Sequence, residues 1–427
     1  MDLLDTVEKG TCTGCGVCTA ACRYGAIKME KTPDGSYAPS VKISLCVDCG
    51  NCTAICPALN ICPSGIKKER SHRNNAIGSF EEIFTGYSLN KERRYTSTSG
   101  GVLPEIAEHL LRKGAIDAVI GLGRREGLFE YVPGIFSDVS ELTRAVYIPV
   151  PLDTVLKDID RSKRYLLIGL PCHVHGLKCL LEKDPELKKC IKYVFGLFCS
   201  HTISETGVRT VLENRGIDPA SVDKLSFRGN GWPGGISISL KDGRTALIAN
   251  QDSVWSFLYG GYFCSFIHCL CCVDHTNELA DISFGDAWLK EVMAGDDQGS
   301  SMVIVRDPEL LSVLNEMNGS TLALTPSNPN KAAKSQRAPL TIKKSLYLSR
   351  KKILTAFGYG EIRPFLEGGL PEKSGFFPAA FNFILLLNVL SGRSYIMRRF
   401  AANAGIPILR TLYGIFKALL KKAGENR

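Results

Sequence analysis

Two cysteine-rich stretches determine how the chain begins to fold. They read Cys12-Thr13-Gly14-Cys15-Gly16-Val17-Cys18-Thr19-Ala20-Ala21-Cys22 and Cys46-Val47-Asp48-Cys49-Gly50-Asn51-Cys52-Thr53-Ala54-Ile55-Cys56-Pro57. Both have the spacing Cys-x2-Cys-x2-Cys-x3-Cys, so they form an internal repeat. Residues 10–63 otherwise have little hydrophobic periodicity. The folding energy of this block must therefore come largely from metal bound by the cysteines.

The cysteine spacing is typical of two [4Fe-4S] clusters. In this pattern, three cysteines of one stretch and the last cysteine of the other stretch bind the same cluster. The predicted ligands are Cys12, Cys15, Cys18 and Cys56 for one cluster, and Cys46, Cys49, Cys52 and Cys22 for the other. A structural zinc site would usually take two separated cysteine pairs, which these triplets do not resemble. Residues 1–66 are therefore predicted to form a ferredoxin-like domain with two clusters.

Three details of this block refine the prediction. Gly14, Gly16 and Gly50 suit a backbone that must pass close to inorganic sulfur. Arg23 follows the fourth cysteine of the first stretch, where the pattern usually has proline. Cys62 is an additional cysteine, which we predict is not a ligand.

The bulk composition is that of a globular protein. The chain has 427 residues, of which 44% are hydrophobic and 22% charged, enough for two or three domains. The first residues are acidic and lack the apolar core of a secretory signal, so we expect a cytoplasmic protein. In that compartment, 17 cysteines indicate metal or redox chemistry and not disulfides.

The positive charge is concentrated at the C-terminal end. The formal net charge is +9, and residues 391–427 contain eight Lys or Arg but a single acidic residue, Glu425. Because the remainder is nearly neutral, no nucleic-acid binding is expected. Residues 376–427 are predicted to form a helical tail, whose last helix has an apolar face of Leu409, Leu412, Tyr413, Phe416, Leu419 and Leu420. Such a basic amphipathic helix suits the inner surface of a membrane, and the alternative is packing on the body or on a second protomer.

Between these ends, short β-rich runs alternate with helical patterns, which predicts an α/β body with a mixed sheet. A polar linker with Lys67, Lys68, Arg70 and Arg73 precedes this body. The predicted strands are Ala118–Gly121, Val146–Val150, Tyr165–Leu170, Tyr193–Phe198, Ile236–Leu240, Ile282–Phe284 and Met302–Val305. The predicted helices are Val102–Arg112, Leu152–Ile159, His175–Leu181, Ser204–Asn214 and Glu309–Met317.

Six separated motifs of the body occur in a characteristic order. They are Ser97-Thr98-Ser99-Gly100-Gly101, Gly169-Leu170-Pro171-Cys172-His173, Phe198-Cys199-Ser200, Phe227-Arg228-Gly229 with Trp232-Pro233-Gly234, Cys269-x2-Cys272-x-Asp274-His275, and Ala280-Asp281-Ile282-Ser283-Phe284-Gly285-Asp286-Ala287-Trp288. In this order they resemble the coenzyme F420 hydrogenase/dehydrogenase beta-subunit family, which includes the F420H2 dehydrogenase input subunit and 7-hydroxymethyl chlorophyll a reductase. The resemblance covers about residues 1–310. It implies an FAD-binding body, with its N-terminal part at 77–170 and its C-terminal part at 171–325.

The resemblance implies that Ser97 to Gly101 lies at a flavin site. A hydroxyl-rich stretch entering a helix also suits a pyrophosphate, because helix N-termini have free N–H groups. The alternative is an ordinary helix cap with Pro104 in the first turn. Arg228 is the preferred cation for the flavin or an anionic substrate, and Asp286, like Asp281, is either a pocket contact or a turn residue.

The family pattern also implies a third [4Fe-4S] cluster beside the flavin. Its predicted ligands are Cys172, Cys199, Cys269 and Cys272, with Cys264 and Cys271 as alternatives. Cys179 and Cys190 are expected to be buried small hydrophobes. The nearby histidines could donate hydrogen bonds to sulfur, shuttle protons or have structural roles; they are His173, His175, His201, His268 and His275.

Together these features predict an FAD- and iron–sulfur-dependent oxidoreductase with three clusters. It would take electrons from an F420-type hydride carrier or from ferredoxin, because a flavin couples two-electron and one-electron chemistry. The alternative from another class is an electron-relay subunit that docks on a redox partner protein and has no substrate of its own. A zinc-bound nucleic-acid module is the third and least supported hypothesis.

Overall fold

The computed structural model describes residues 2–60, 70–294, 296–359 and 372–425. Cys62, Lys67 and Lys68 lie outside the described residues. The N-terminal block consists of two short hairpin strands and three helices. Its elements are α1 Leu3–Glu8, α2 Val17–Ala21, β1 Ile27–Lys31, β2 Tyr37–Val41 and α3 Asn51–Ala54. β1 and β2 pair antiparallel between the two cysteine stretches, so the block has the β-hairpin and paired short helices that a ferredoxin-like domain requires.

The body is built on one mixed sheet of eight strands. Its members and the flanking elements are β3 His72–Asn74, β4 Gly78–Phe80, β5 Glu82–Ser88, α4 Lys91–Thr96, α5 Val102–Arg112, β6 Ala118–Arg124, β7 Tyr131–Phe136, α6 Asp153–Lys157, β8 Tyr165–Gly169, α7 Pro171–Lys183, α8 Pro185–Cys190 and β9 Ile191–Leu197. The second half adds α9 Glu205–Asn214, β10 Val222–Gly229, β11 Gly235–Leu240, β12 Thr245–Ala249, α10 Ser253–Trp255, α11 Ile267–Cys271, β13 Ile282–Asp286, α12 Lys290–Met293, β14 Ser301–Val305, α13 Pro308–Met317 and β15 Leu322–Pro326.

The strand order in the large sheet is β15-β5-β14-β13-β9-β8-β6-β7. The central strands β13, β9, β8 and β6 are parallel, and antiparallel strands flank them on both sides. Strands β10, β11 and β12 form a separate antiparallel sheet, and β3 pairs with β4. Because the parallel strands are apolar on both faces, two hydrophobic cores cover them. The predicted mixed sheet is confirmed.

The predicted helix Val102–Arg112 has the same bounds in the structure. The predicted strand Val146–Val150 is wrong, because residues 143–152 form an extended segment outside the sheet. The reason is that Pro149 and Pro151 have no backbone N–H to donate to a ladder. This segment instead touches the N-terminal block, where the Leu152 N–H donates to the Cys15 carbonyl at 2.9 Å.

The N-terminal block packs on this segment and on α7. Thr19 Oγ1 donates to the Asp153 carbonyl at 3.2 Å. Gly16 has φ +79°, and a Cβ there would lie 2.8 Å from Pro151 Cβ and 2.9 Å from the Asp153 nitrogen. On the other side, a Cβ at Gly176 of α7 would lie 3.1 Å from Val17. Small residues therefore bring the first cysteine stretch into close contact with the body.

The C-terminal region is helical and covers the body. Its elements are α14 Pro329–Ser335, α15 Arg337–Leu340, α16 Tyr347–Ala356, α17 Phe376–Arg393, α18 Tyr395–Asn403 and α19 Ile406–Gly424, with a wider π-type turn at Thr341–Ser345. Of the face predicted for the last helix, Leu409 and Phe416 are buried against the body, as in the packing alternative, whereas Leu412 is exposed. One helix of the described residues, Phe376–Arg393, is long and apolar enough to cross a membrane, and 39% of it is buried inside the protein. Membrane-surface contact stays a prediction.

Gly16 and Gly50 occupy equivalent positions of the repeat and provide a matched test of this docking. Both are left-handed, but nothing lies within 4 Å of a Cβ at Gly50. Each alanine substitution should lower the free energy of unfolding by about 1–2 kcal/mol, because alanine disfavours the left-handed backbone conformation. Gly16→Ala should cost about 1–3 kcal/mol more from overpacking against Pro151.

The measurement is chemical unfolding followed by tryptophan fluorescence, because all three tryptophans lie in the body. If Gly16→Ala and Gly50→Ala lower the free energy of unfolding equally, the packing of the first cysteine stretch against the body is contradicted.

Candidate functional site

A large cavity of about 1220 Å³ opens where the parallel strands end. Its walls come from the loops after β8, β9 and β13, from the start of α5, and from the extended segment 143–152. The C-terminal helices complete it through Gln336 and Tyr413. Ligands of open α/β sheets bind outside the carboxyl ends of the strands, and this volume exceeds the roughly 300–1,000 Å³ of pockets for drug-sized molecules. The cavity can therefore hold a dinucleotide-sized ligand.

The N-terminus of α5 forms one wall. Its N-cap is Gly101, at φ 77°, and no side chain caps the helix. The neighbouring hydroxyls already have partners, since Ser99 Oγ donates to the Ser300 carbonyl at 2.9 Å and Thr98 Oγ1 accepts from the Ala145 N–H at 3.0 Å. Gly100 is required by close packing, because a Cβ would lie 2.5 Å from the Gly86 carbonyl. The backbone N–H groups of Val102 and Leu103 in the first turn are thus available to an anion, whereas Pro104 has no N–H.

Arg228 and Asp286 form an ion pair in the cavity wall, with Arg228 buried. Arg228 Nη1 lies 2.9 Å from Asp286 Oδ2, and Nη2 also donates to the Thr98 carbonyl at 3.0 Å. Trp232 Nε1 donates to Asp286 Oδ1 at 2.7 Å. Burial alone would lower the pKa of Arg228, but the charge of Asp286 raises it above its ordinary value. The charge of the predicted cation is therefore already compensated, and the pair holds the cavity wall together.

Arg144 is a cavity cation that the sequence motifs did not reveal. It lines the cavity, and its Nη1 donates to the Arg228 carbonyl at 3.3 Å. In the described part of the chain, no carboxylate forms an ion pair with it. Burial lowers its pKa from the ordinary value, with partial compensation from Tyr95. Arg144 is thus the better placed side chain for an anionic ligand.

A stack of aromatic rings lines the end of the cavity nearest the cysteines. Tyr259 stacks on Trp255 with ring centroids 4.7 Å apart, and on Tyr147 at 5.1 Å. His201 stacks on Tyr262 at 3.7 Å, and burial lowers the pKa of His201 to about 3. Burial likewise lowers the pKa of His173 and of His275 to about 4. These imidazoles are neutral at physiological pH, which suits packing better than proton shuttling.

The structure brings Cys172, Cys199, Cys269 and Cys272 together. Burial raises the pKa of Cys172 well above its ordinary value, and repulsion from the thiols of Cys15, Cys199, Cys272 and Cys269 raises it further. Burial also raises the pKa of Cys269, but His268 outweighs this effect and lowers it to about 6. Cys199 also lines the cavity. This group, the inner thiol group, is therefore shared between the cavity and the N-terminal block.

The two alternative ligands are directed elsewhere. Cys264 packs against Gly207, where a Cβ would lie 2.4 Å from Cys264 Cβ, and it interacts with Arg398 and not with the other thiols. Cys271 Sγ donates to the Ile267 carbonyl of its own helix at 3.3 Å. Cys271 interacts with Cys269 and Cys272 but not with Cys172 or Cys199. Cys172 and Cys199 each interact with both Cys269 and Cys272, so the four cysteines of the family pattern remain the predicted ligand set.

The predicted division of the eight N-terminal cysteines into two groups stays a prediction. The thiol of Cys18 interacts with those of Cys15, Cys12 and Cys56, and also with that of Cys52; the thiol of Cys52 interacts with that of Cys22. Cys46 and Cys49 are exposed. Gly14, Gly16 and Gly50 are all left-handed, with φ of 65°, 79° and 70°. No three His, Cys, Asp or Glu side chains among the described residues converge closely enough to hold a single metal ion.

Comparisons with known proteins match this architecture. Residues 83–157 match the N-terminal model of the coenzyme F420 hydrogenase/dehydrogenase beta subunit, and residues 162–329 match the C-terminal model of the same beta subunit. The two matches together cover more than half of the chain. The chain belongs to the coenzyme F420 hydrogenase/dehydrogenase beta-subunit family. The resemblance read from the motifs is confirmed, and residues 11–60 match a 4Fe-4S dicluster domain.

Curated relatives of this family member come from methanogens. The chain is 25% identical over 322 residues to coenzyme F420-dependent sulfite reductase of Methanocaldococcus jannaschii, covering 71% of this chain and 45% of that protein. The chain thus spans about half of that relative. It is 23% identical over 304 residues to the F subunit of F(420)H(2) dehydrogenase from Methanosarcina mazei, covering 67% of this chain and 80% of that protein. A chain of the F420-reducing [NiFe] hydrogenase complex from Methanosarcina barkeri has the same fold, with a TM-score of 0.52 at 18% identity over 66% of this chain and 96% of that chain.

The buried pair in the cavity wall gives a stability test. Asp286→Asn should destabilise the protein by about 3–5 kcal/mol, because it leaves the Arg228 charge buried without a partner. The matched control is Asp242→Asn, which breaks an exposed Asp–Arg pair with Arg244 and should leave the free energy of unfolding nearly unchanged. Urea unfolding followed by far-UV circular dichroism measures both. Similar small losses in the two variants would contradict the structural role assigned to Asp286.

Proposed function

We propose that this iron–sulfur protein is an FAD-dependent oxidoreductase that exchanges electrons between a hydride carrier of the coenzyme F420 type, or ferredoxin, and a partner or substrate. The observation that carries the proposal is the double position of Cys199. Its side chain lines the cavity and also belongs to the inner thiol group. A redox group in the cavity would therefore be next to a group bound by these thiols.

The cavity residues fit a flavin dinucleotide. The free N–H groups at the start of α5 and the uncompensated Arg144 suit a pyrophosphate. The aromatic stack of Tyr147, Trp255 and Tyr259 suits a planar ring system. When bound, FAD accepts hydride as an electron pair and releases single electrons, and [4Fe-4S] clusters accept electrons singly. The chain's own residues bind and orient these groups and exclude water from them.

The thiol groups form a continuous series away from the cavity. Cys172 of the inner thiol group interacts with Cys15 of the first N-terminal group. Within the block, Cys18 of that first group interacts with Cys52 of the second, and the second group includes the exposed Cys46 and Cys49. Three [4Fe-4S] clusters at these groups would connect the buried cavity with the protein surface.

The alternative function is an electron-relay subunit without its own substrate. The name of one relative, the F subunit of F(420)H(2) dehydrogenase, contains the word subunit, and the exposed second group suits a redox partner protein. A cavity of about 1220 Å³ with aromatic walls and a free cation favours a small-molecule site in this chain. Turnover of reduced F420 with a dye by the isolated, anaerobically purified protein would support the enzyme. Activity that needs an added partner protein would favour the relay.

The assignment of the inner thiol group is tested by metal content. Cys199→Ser should lose about four irons and four sulfides per chain, because one [4Fe-4S] cluster lacks a ligand. The matched controls are Cys271→Ser and Cys264→Ser, which should retain the iron and sulfide content of the wild type. The measurement is iron and acid-labile sulfide analysis after anaerobic purification. Loss of iron in Cys271→Ser but not in Cys199→Ser would overturn the ligand assignment.

The flavin site is tested at Arg144. Arg144→Met should weaken FAD binding about tenfold or more, because a hydrogen bond to a charged group contributes about 1.5–3 kcal/mol. Arg124→Met is the matched control, since Arg124 also donates to a backbone carbonyl of the small sheet but does not line the cavity. Titration of the deflavinated proteins with FAD, followed by flavin fluorescence, measures both affinities. Absence of any flavin binding by the wild type would sink the flavin proposal.

A further inference from the structure

Two adjacent buried lysines follow the family match, on the π-type turn Thr341–Ser345. Such wide turns are rare and are frequent at functional sites. Lys343 is 2% exposed and Lys344 is 6% exposed. A buried ammonium group requires a compensating charge or a full set of acceptors. The partners of these two lysines therefore indicate what each of them does.

The two lysines have different partners. Lys344 forms a short ion pair with Glu278 and donates to the Asn75 carbonyl at 3.1 Å. Lys343 Nζ donates to Cys272 Sγ at 3.2 Å and to the Asp274 carbonyl at 2.7 Å. Within the described chain no carboxylate pairs with Lys343. Burial alone would lower the pKa of Lys343, but the thiols of Cys272 and Cys199 raise it. The inner thiol group thus provides the strongest charge interactions of Lys343, and the Asp274 carboxylate also interacts with it.

We propose that Lys343 is a positioning residue that raises the reduction potential of the cluster held by Cys172, Cys199, Cys269 and Cys272. The inference rests on the proposed function, because it needs a cluster at the inner thiol group. Hydrogen bonds to sulfur and nearby net charge set the potentials of iron–sulfur clusters. A cation that donates to Cys272 Sγ stabilises the reduced state more than the oxidised state, because reduction adds one negative charge.

The electron balance of this step is simple. The cluster takes up one electron, Lys343 keeps its proton, and no covalent bond forms or breaks. In the proposed function a hydride carrier supplies two electrons, which would leave the bound FAD one at a time and pass through the cluster in turn. In the experiment, dithionite supplies single electrons. Lys343 thus favours entry of the electron into the inner cluster.

Lys343 lies in a C-terminal segment that contacts the redox site at more than one residue. The family match ends at residue 329, but the following segment reaches the redox site twice. Gln336 Oε1 lies 3.0 Å from His275 Nε2, and Gln336 Nε2 donates to the Asp286 carbonyl at 2.6 Å. Lys343 then reaches Cys272. The C-terminal region of this chain is therefore part of the redox site and not only a cover on the body.

The test is an anaerobic redox titration of the purified full-length protein, followed by electron paramagnetic resonance. Lys343→Met should decrease the one-electron reduction equilibrium constant of one cluster at least tenfold, which is about 59 mV. The reduction potentials of the other two clusters should be unchanged. In Lys343→Arg the reduction potential should stay close to that of the wild type, because arginine keeps the positive charge. Lys344→Met is the matched control, since it removes a neighbouring buried ammonium that does not reach the thiols.

Iron content separates the two possible failures. If the wild type contains iron and acid-labile sulfide for two [4Fe-4S] clusters and not for three, there is no inner cluster, and the proposed function fails. If Lys343→Met has the wild-type iron content but an unchanged potential, the role of Lys343 is overturned and the proposed function stands. Should Lys343→Met not assemble the cluster, Lys343→Gln and Lys343→Arg replace it. A lowered potential in Lys343→Gln alone supports the proposal, and equal potentials overturn it.

Discussion

Four neighbouring cysteine thiols create an electrostatic constraint on which the centre of this molecule depends; Cys269 is buried, and Cys172, Cys199 and Cys272 are partly buried. Neighbouring thiolates repel one another, and burial removes the water that would otherwise stabilise them. Lys343 provides a positive charge beside Cys272, because its Nζ donates to Cys272 Sγ at 3.2 Å. Two other buried cations of the region pair with carboxylates, Arg228 with Asp286 and Lys344 with Glu278. Lys343 alone among these directs its charge to sulfur.

The same constraint relates the N-terminal block to the body. Cys15 and Cys172 interact although they are far apart in sequence, which requires the first cysteine stretch to pack closely on the body. The extended segment around Pro149 and Pro151 makes this contact possible, because its backbone is not used in the sheet and Leu152 can donate to Cys15. Gly16 and Gly176 remove the side chains that would separate the two surfaces. Packing between domains thus brings thiols of both domains together.

Much of this arrangement could be predicted from the sequence, because cysteine spacing encodes which thiols are neighbours. The dicluster domain is confirmed by the family match, and the helix Val102–Arg112 agrees with the structure. Val146–Val150 was predicted as a strand from its apolar residues, but two prolines outweigh that preference. Lys343 and Arg144 could not be identified, because a single basic residue carries no spacing signal and Lys343-Lys344 reads as an exposed pair. Only tertiary packing brings Lys343 to Cys272.

Because the thiol groups are buried to different extents, they should differ in how fast oxygen oxidises them. Cys46 and Cys49 are exposed, whereas Cys15, Cys18 and Cys56 are buried, and oxidation of cysteine follows exposure and thiolate character. Dioxygen and peroxide will therefore attack the outermost group first. Oxidation would then first remove the group of Cys46 and Cys49, through which other proteins would exchange electrons, while the inner thiol group is still intact.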